Sequence, residues 1–165
     1  MCVCCAVFLG CASYQVGTRS LYRPDIQTVH VQIFASNSYR RFLGEQLTEA
    51  VVKEVELKTP YKVVCAADAD SRLSGRIVAE WKRVLAEDID DVPRDIEVDL
   101  TVQIRWETRH GDLLRQPIDL PLPPELRINQ VANLIPEGGQ SIATAHQHTI
   151  SKLAEEIVAQ MEYPW

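Results

Sequence analysis

Cys11 has the sequence surroundings of a cysteine that carries lipid. It follows Gly10 at the end of an apolar run, Ala6 to Leu9, and Ala12 comes directly after it. A small residue before a cysteine at the end of such a run is typical of the site where a bacterial signal peptide is removed and the cysteine is acylated. We expect acyl chains on Cys11 to hold the rest of the chain at a membrane surface.

The residues before Cys11 supply part of a signal peptide. Residues 1–10 provide a barely sufficient apolar stretch, since a signal peptide needs roughly 7–15 apolar residues, and they contain no lysine or arginine. We interpret residues 1–10 as a lipoprotein signal peptide truncated before its charged start, and residues 11–25 as a lipidated tether. The pattern leaves one alternative open, a buried N-terminal strand from Cys2 to Leu9. The segment is too short to span a membrane, which takes about 20 apolar residues.

Three further clusters contain residue types that bind metals or catalyse reactions. They are Cys2-x-Cys4-Cys5, His146-x-His148 and Asp88-x-Asp90-Asp91. The cysteine cluster lacks the second ligand pair of a zinc site. The side chains of two residues that are two apart on a helix point about 200° apart, so His146 and His148 cannot share a metal. His146 lies on the apolar stripe of its predicted helix, and we expect it to be a hydrogen-bonded core residue. The aspartates lack the glycine and final glutamate of a calcium loop and predict a solvated hairpin turn. We therefore expect no metal, no cofactor and no enzymatic activity.

The composition is that of a single globular domain. The chain has 165 residues, of which 46% are hydrophobic and 24% charged, and this length can build a core without disulfides. The net charge of −6 argues against nucleic acid as a partner, because nucleic-acid binding needs a basic face. Cys65 lies in an apolar run and is predicted to be a small buried side chain.

Two segments have the period of an amphipathic helix. Ser36-Asn37-Ser38 is a natural N-cap cluster and predicts a first helix over 39–58. A second helix is predicted over 140–161. The apolar stripes are Leu43, Leu47, Ala50, Val51 and Val55 in the first helix, and Ile142, His146, Ile150, Leu153, Ile157, Val158 and Met161 in the second.

The other segments alternate apolar and polar residues, as strands with one buried face do. Strands are predicted over 26–35, 61–66, 73–85 and 95–106, with a proline-marked edge strand over 113–122 and an extended loop over 123–138. The clearest strand buries Ile96, Val98, Leu100, Val102, Ile104 and Trp106 on one face. In the strand 73–85, Leu73, Ile77 and Trp81 share one parity, which puts Arg76 and Lys82 together on the opposite face.

The order of these elements is strand, helix, three or four strands, helix. It predicts an α+β fold, a two-layer sandwich in which a mixed or antiparallel sheet of about four to five strands carries both helices on one face. Residues 26–165 are expected to form this single domain.

Several stretches together resemble the LPS-assembly lipoprotein LptE family, in particular its planctomycete-type members. These stretches are Gly10-Cys11-Ala12-Ser13-Tyr14, Arg19-Ser20-Leu21-Tyr22-Arg23-Pro24-Asp25-Ile26, Leu43-Gly44-Glu45-Gln46-Leu47-Thr48-Glu49-Ala50-Val51, Thr59-Pro60-Tyr61-Lys62-Val63-Val64 and Leu73-Ser74-Gly75-Arg76-Ile77. The resemblance extends over nearly the whole chain from Gly10. Its most specific part is the order of lipid-attachment motif, strand, helix, Thr-Pro turn and strand.

The resemblance implies a lipoprotein anchored at the periplasmic face of the outer membrane. Its partners would be an LptD-like β-barrel, which it helps to assemble and partly plugs, and lipopolysaccharide, which it contacts through basic residues. We expect Arg76 and Lys82 to make that contact. Two other functions stay open: a lipoprotein adaptor of another envelope complex, and a secreted small-ligand-binding domain. Co-purification of a β-barrel would favour the barrel-assembly function over both of these alternatives.

Lipid attachment at Cys11 gives the first testable prediction. The full chain expressed in a bacterium should fractionate with membranes and incorporate labelled fatty acid. Cys11→Ser should abolish the label, because it removes the thiol that is acylated. A wild-type protein that is soluble and retains residues 1–10 would contradict the prediction.

Overall fold

The computed structural model describes residues 21–114 and 126–162. Cys11, the predicted signal peptide and most of the predicted tether lie outside these residues, as does most of the predicted edge strand 113–122. The elements in chain order are β1 (Thr28–Val31), β2 (Ala35–Ser36), α1 (Leu43–Lys58), β3 (Lys62–Val63), β4 (Ser71–Glu87), β5 (Pro93–Thr108), β6 (Leu126–Leu134) and α2 (Ile142–Ala159). Short 3₁₀ turns, Ala66–Asp68 and Pro136–Gly138, follow β3 and β6.

The strands of the described residues form one mixed sheet in the order β3-β1-β4-β5-β6, and β2 also pairs with β4. Strands β1 and β2 run parallel to β4, whereas β4, β5 and β6 are antiparallel neighbours. The antiparallel part dominates because β4 and β5 have 17 and 16 residues. At about 3.3 Å per residue these strands are roughly twice as long as either helix.

The acidic turn at the end of this hairpin matches the predicted solvated turn. The amide of Asp88 donates to the Val92 carbonyl at 3.1 Å, and the Asp88 carboxylate accepts from the amides of Asp90 and Val92. Asp91 has a φ of 59°, the left-handed conformation that aspartate tolerates in turns. The aspartates therefore have a structural role in closing the hairpin.

Both helices pack on the same face of the sheet, so the predicted two-layer α+β fold is confirmed. One cluster of buried apolar side chains joins α1, α2 and the inner faces of β1, β4, β5 and β6. Ser141 caps α2 by accepting a hydrogen bond from the Thr144 amide. Within the described residues, neither helix combines the length and the apolar character that crossing a membrane requires.

The helix α1 begins later than predicted. It starts at Leu43, its N-cap is Phe42 in a left-handed conformation, and no side chain caps it. The serines before it have other partners, because Ser36 belongs to β2 and the Ser38 hydroxyl donates to Glu80. The prediction of an N-cap at 36–38 was wrong for this reason.

A tight contact at Phe34 explains the break between β1 and β2, where a single strand over 26–35 was predicted. Phe34 packs directly on glycines of two elements. A Cβ at Gly75 would lie 2.5 Å from the Phe34 ring, and one at Gly44 would lie 2.1 Å from the Phe34 carbonyl oxygen. The chain therefore leaves the sheet edge at Phe34 to fill this space, and any larger side chain at Gly75 or Gly44 would displace it.

Two other local predictions were wrong. The segment 123–138 contains strand β6, in which Ile128, Ala132 and Leu134 are buried and Gln130 interrupts the apolar alternation. Cys65 is exposed, because β3 ends at Val63 and the chain turns away from the sheet there.

The alternating strand β5 gives the second prediction. Leu100 is fully buried, whereas Thr101 is half-buried on the opposite face. Leu100→Ala should lower the free energy of unfolding by about 2–5 kcal/mol because it leaves a cavity. Thr101→Ala is the matched control and should cost about 0.5 kcal/mol. Equal shifts in denaturant unfolding would contradict the two-layer architecture.

Candidate functional site

The sheet face that the helices leave uncovered is the largest polar surface that the strands build. We call it the open face. It consists of His30 from β1; Arg72, Ser74, Arg76, Ala79, Trp81 and Arg83 from β4; Asp95, Glu97, Asp99, Thr101, Gln103, Arg105 and Glu107 from β5; and Arg127, Asn129, Val131 and Asn133 from β6.

Charges of opposite sign are interspersed across the open face. Arg83 donates to the Glu97 carboxylate at 2.7 Å across β4 and β5. Arg76 Nε donates to the Gln103 side-chain oxygen at 2.9 Å in the same way. An exposed pair such as Arg83 with Glu97 adds less than about 1 kcal/mol, whereas Gln103 is buried, and both bonds fix the positions of the side chains.

Trp81 is the large apolar side chain of the open face. It is 68% exposed and pairs across the strands with Asp99 on β5. Asp99 in turn pairs with Val131 on β6. Tryptophan and arginine are the side chains most enriched at the energetic centres of protein interfaces. Trp81 and the arginines around it are thus residue types that are common at protein interfaces.

The structure separates the two predicted lipopolysaccharide contacts. A β-bulge at Val78 inserts one extra residue between the pairs Ile77–Val102 and Ala79–Thr101. Beyond it Lys82 lies opposite Val98, on the helix side, while Arg76 stays on the open face. Both side chains are exposed, but the expectation that they share a face was wrong.

The same bulge turns Glu80 toward the helices, where it joins α2 to the segment before α1. Its carboxylate accepts hydrogen bonds from the Ser38 hydroxyl, from Arg40 Nε at 2.8 Å and from His146 Nε2 at 2.9 Å. His146 is buried, and its Nδ1 lies 2.8 Å from the Ile142 carbonyl oxygen. Because a carbonyl and a carboxylate only accept, each of these contacts needs a proton on the ring nitrogen that faces it.

This cluster fixes the charge of Glu80. Burial is the largest single influence on the pKa of its carboxyl and raises it, but the hydrogen bonds from Ser38, His146 and Arg40 together outweigh burial and hold the pKa below its ordinary value.

The prediction that His146 is a satisfied core residue is confirmed. Glu80 was missed, because nothing in the alternation of 73–85 reveals the bulge. In the part of the chain that the structure describes, no three histidine, cysteine, aspartate or glutamate side chains are grouped to bind a metal.

The family model described as "LptE: Lipopolysaccharide-assembly" matches residues 26–161, which is most of the chain and includes every strand and helix that the structure describes. The chain belongs to the LptE family. No curated protein matches it. The resemblance identified from its sequence motifs is thereby confirmed at the level of the family.

Solved structures of similar fold include lipoproteins. An uncharacterized lipoprotein B from Nitrosomonas europaea superposes with a TM-score of 0.56 at 14% identity, over 88% of this chain and 87% of that one. A protein from Xanthomonas campestris gives 0.55 at 9% identity, over 85% and 88%. A hypothetical protein from Chlamydia trachomatis gives 0.53 at 11% identity, over 82% and 95%. At these identities the likeness establishes the LptE-like fold alone.

The Glu80 cluster gives the third prediction. Glu80→Gln should lower the free energy of unfolding at pH 7 by about 1.5–3 kcal/mol, because it weakens charge-assisted hydrogen bonds at a largely buried site. The lowered pKa means that the ionised carboxyl stabilises the fold above the ordinary glutamate pKa and loses that effect as the pH falls through the folded value. The difference between wild type and variant should therefore shrink in acid.

Glu97→Gln is the matched control for Glu80→Gln. Glu97 is similarly shielded but pairs with an exposed arginine on the open face, so the loss should stay below about 1 kcal/mol. Denaturant unfolding of both variants at neutral and acidic pH measures the effect. A Glu80 variant as stable as the Glu97 variant would show that the cluster contributes no more than an exposed ion pair.

Proposed function

We propose that this chain is an outer-membrane lipoprotein, anchored through Cys11 at the periplasmic face, that assembles with an LptD-like β-barrel and partly plugs it during lipopolysaccharide transport. The observation that carries this proposal is the match of a lipopolysaccharide-assembly family model to residues 26–161. The role is structural, and no catalytic step is part of it.

The open face supports a docking role. The interior of a membrane β-barrel is polar, so a plug must present a polar surface to it. The open face does so through interspersed arginine, carboxylate and amide groups, with exposed Trp81 among them. A stable α+β domain of this kind can bury such a face against a barrel wall without changing its own core.

Lipopolysaccharide contact is the second part of the proposal. Arg76 and Lys82 remain the residues that we predict for it. Because they lie on opposite sides of β4, a flat contact on the open face would engage Arg76 alone. Lys82 would then contact lipid only from the helix side of the sheet.

Affinity purification from the native envelope in mild detergent tests the proposal. The full chain should recover a large β-barrel in near-equal amount. Trp81→Glu should reduce that recovery several-fold, because it places a charge at an exposed aromatic contact of the open face. The barrel is identified by mass spectrometry and quantified against the tagged chain.

Leu57→Glu is the matched control for Trp81→Glu. Leu57 is 77% exposed on α1, away from the open face, so this variant should recover as much barrel as wild type. Both variants change exposed residues, so stability should shift by about 0.5 kcal/mol or less. Recovery of inner-membrane proteins only would favour the adaptor function, and equal losses in both variants would exclude the open face as the docking surface.

A further inference from the structure

A cavity of about 230 Å³ lies where β4 begins and β5 ends, at the opposite end of the hairpin from its acidic turn. Its floor is a cross-strand row of three residues on the open face, His30 on β1, Arg72 on β4 and Glu107 on β5. The turn at 108–111 forms one wall, and Ala66 and Ala69 form the other. The walls are joined, because Arg109 Nη2 donates to the Ala67 carbonyl at 2.6 Å.

Two arginines and two histidines contribute to the lining of this cavity. They are Arg72, Arg109, His30 and His110. The one acidic residue in the lining is Glu107, and its carboxylate already pairs with Arg105 at 3.0 Å. Hydrogen bonds from Thr28 and Gln27, and the charge of Arg109, lower the pKa of the nearby Asp70 carboxyl, so Asp70 offsets the charge of Arg109 while the guanidinium of Arg72 has no carboxylate partner among the described residues. A concave site on an acidic protein therefore carries a local excess of positive charge.

The donors of the cavity are available to a ligand. The guanidinium of Arg72 has no hydrogen bond or ion pair with any residue in 21–114 or 126–162, although its backbone pairs within the sheet. His30 Nδ1 donates to the Val64 carbonyl oxygen at 3.1 Å, which fixes the ring and leaves Nε2 of the neutral ring as an acceptor, so the donors available to a ligand come mainly from the arginines. A guanidinium has five N–H donors, and the Arg109 side chain uses one of them on Ala67.

We propose that this cavity binds a phosphate group, either free or as the headgroup of a phosphorylated lipid. Planar guanidinium groups match the oxygens of a phosphate with paired hydrogen bonds, and two of them converge here with two imidazoles. The volume is below the roughly 300–1,000 Å³ of sites for drug-sized ligands, so it suits a headgroup more than a whole lipid. The site is separate from Arg76 and Lys82, and it stands whether or not the chain docks in a barrel.

Calorimetric titration of the full chain tests this site. Cys11→Ser is included in every variant to prevent acylation. The titrants are inorganic phosphate and, below its micelle concentration, dihexanoyl phosphatidic acid, with dihexanoyl phosphatidylcholine as the blank.

Arg72→Gln should weaken binding by about tenfold or more, because it removes charge-assisted hydrogen bonds to the phosphate. Arg127→Gln removes an equal charge from the open face outside the cavity and should change affinity by less than about twofold.

The outcomes separate the two sources of phosphate. Tighter binding of phosphatidic acid than of phosphate, lost with Arg72→Gln, identifies a lipid headgroup, and equal affinities identify a free phosphate site. No saturable binding of either titrant, or equal losses in both arginine variants, would overturn the proposal. A wild-type oligomer that Arg72→Gln converts to a monomer would also overturn it, because the cavity would then hold an acidic segment of a second copy. His110→Gln, on the exposed turn, should reproduce a smaller loss if Arg72→Gln impairs folding.

Discussion

The extra residue at Val78 in β4 is the constraint on which the rest of the structure depends. This bulge reverses which side chains of β4 face the helices from Ala79 to Val84, where the next irregularity in the pairing with β5 begins. Upstream of it, Leu73 and Ile77 fill the core; downstream, Glu80 takes an inward position and Trp81 an outward one. One backbone irregularity thus creates both the polar cluster beneath the helices and the exposed aromatic of the open face.

An inward carboxylate is costly unless it is paired, and the fold supplies partners from elements far apart in the chain. Ser38 and Arg40 come from the segment before α1, and His146 comes from the first half of α2. Glu80 therefore ties α2 and the segment before α1 to the same point of the hairpin. Phe42 is the N-cap of α1, and no side chain caps the helix.

The long hairpin also separates charge along its length. Its closed end carries Asp88, Asp90 and Asp91, and its open end holds the basic cavity built on Arg72 and Arg109. The open face between them has charges of both signs, and its ion pairs include Arg83 with Glu97 and Arg105 with Glu107. The two functions that we propose therefore fall on separate parts of one sheet, anion binding at its end and docking at its centre, and these surfaces share the strands but not the side chains.

The sequence by itself determined the elements whose residues repeat with an uninterrupted period. The alternation from Ile96 to Trp106 and the stripe from Ile142 to Met161 reflect local geometry and burial, and both lie as predicted. The family resemblance could also be identified from short motifs. The tertiary structure alone decided the face of Lys82, the partners of Glu80, the strand β6 and the exposure of Cys65. Each depends on pairing between distant segments: a bulge or a strand end is fixed by the register of a neighbour, and no local pattern in one strand encodes that register.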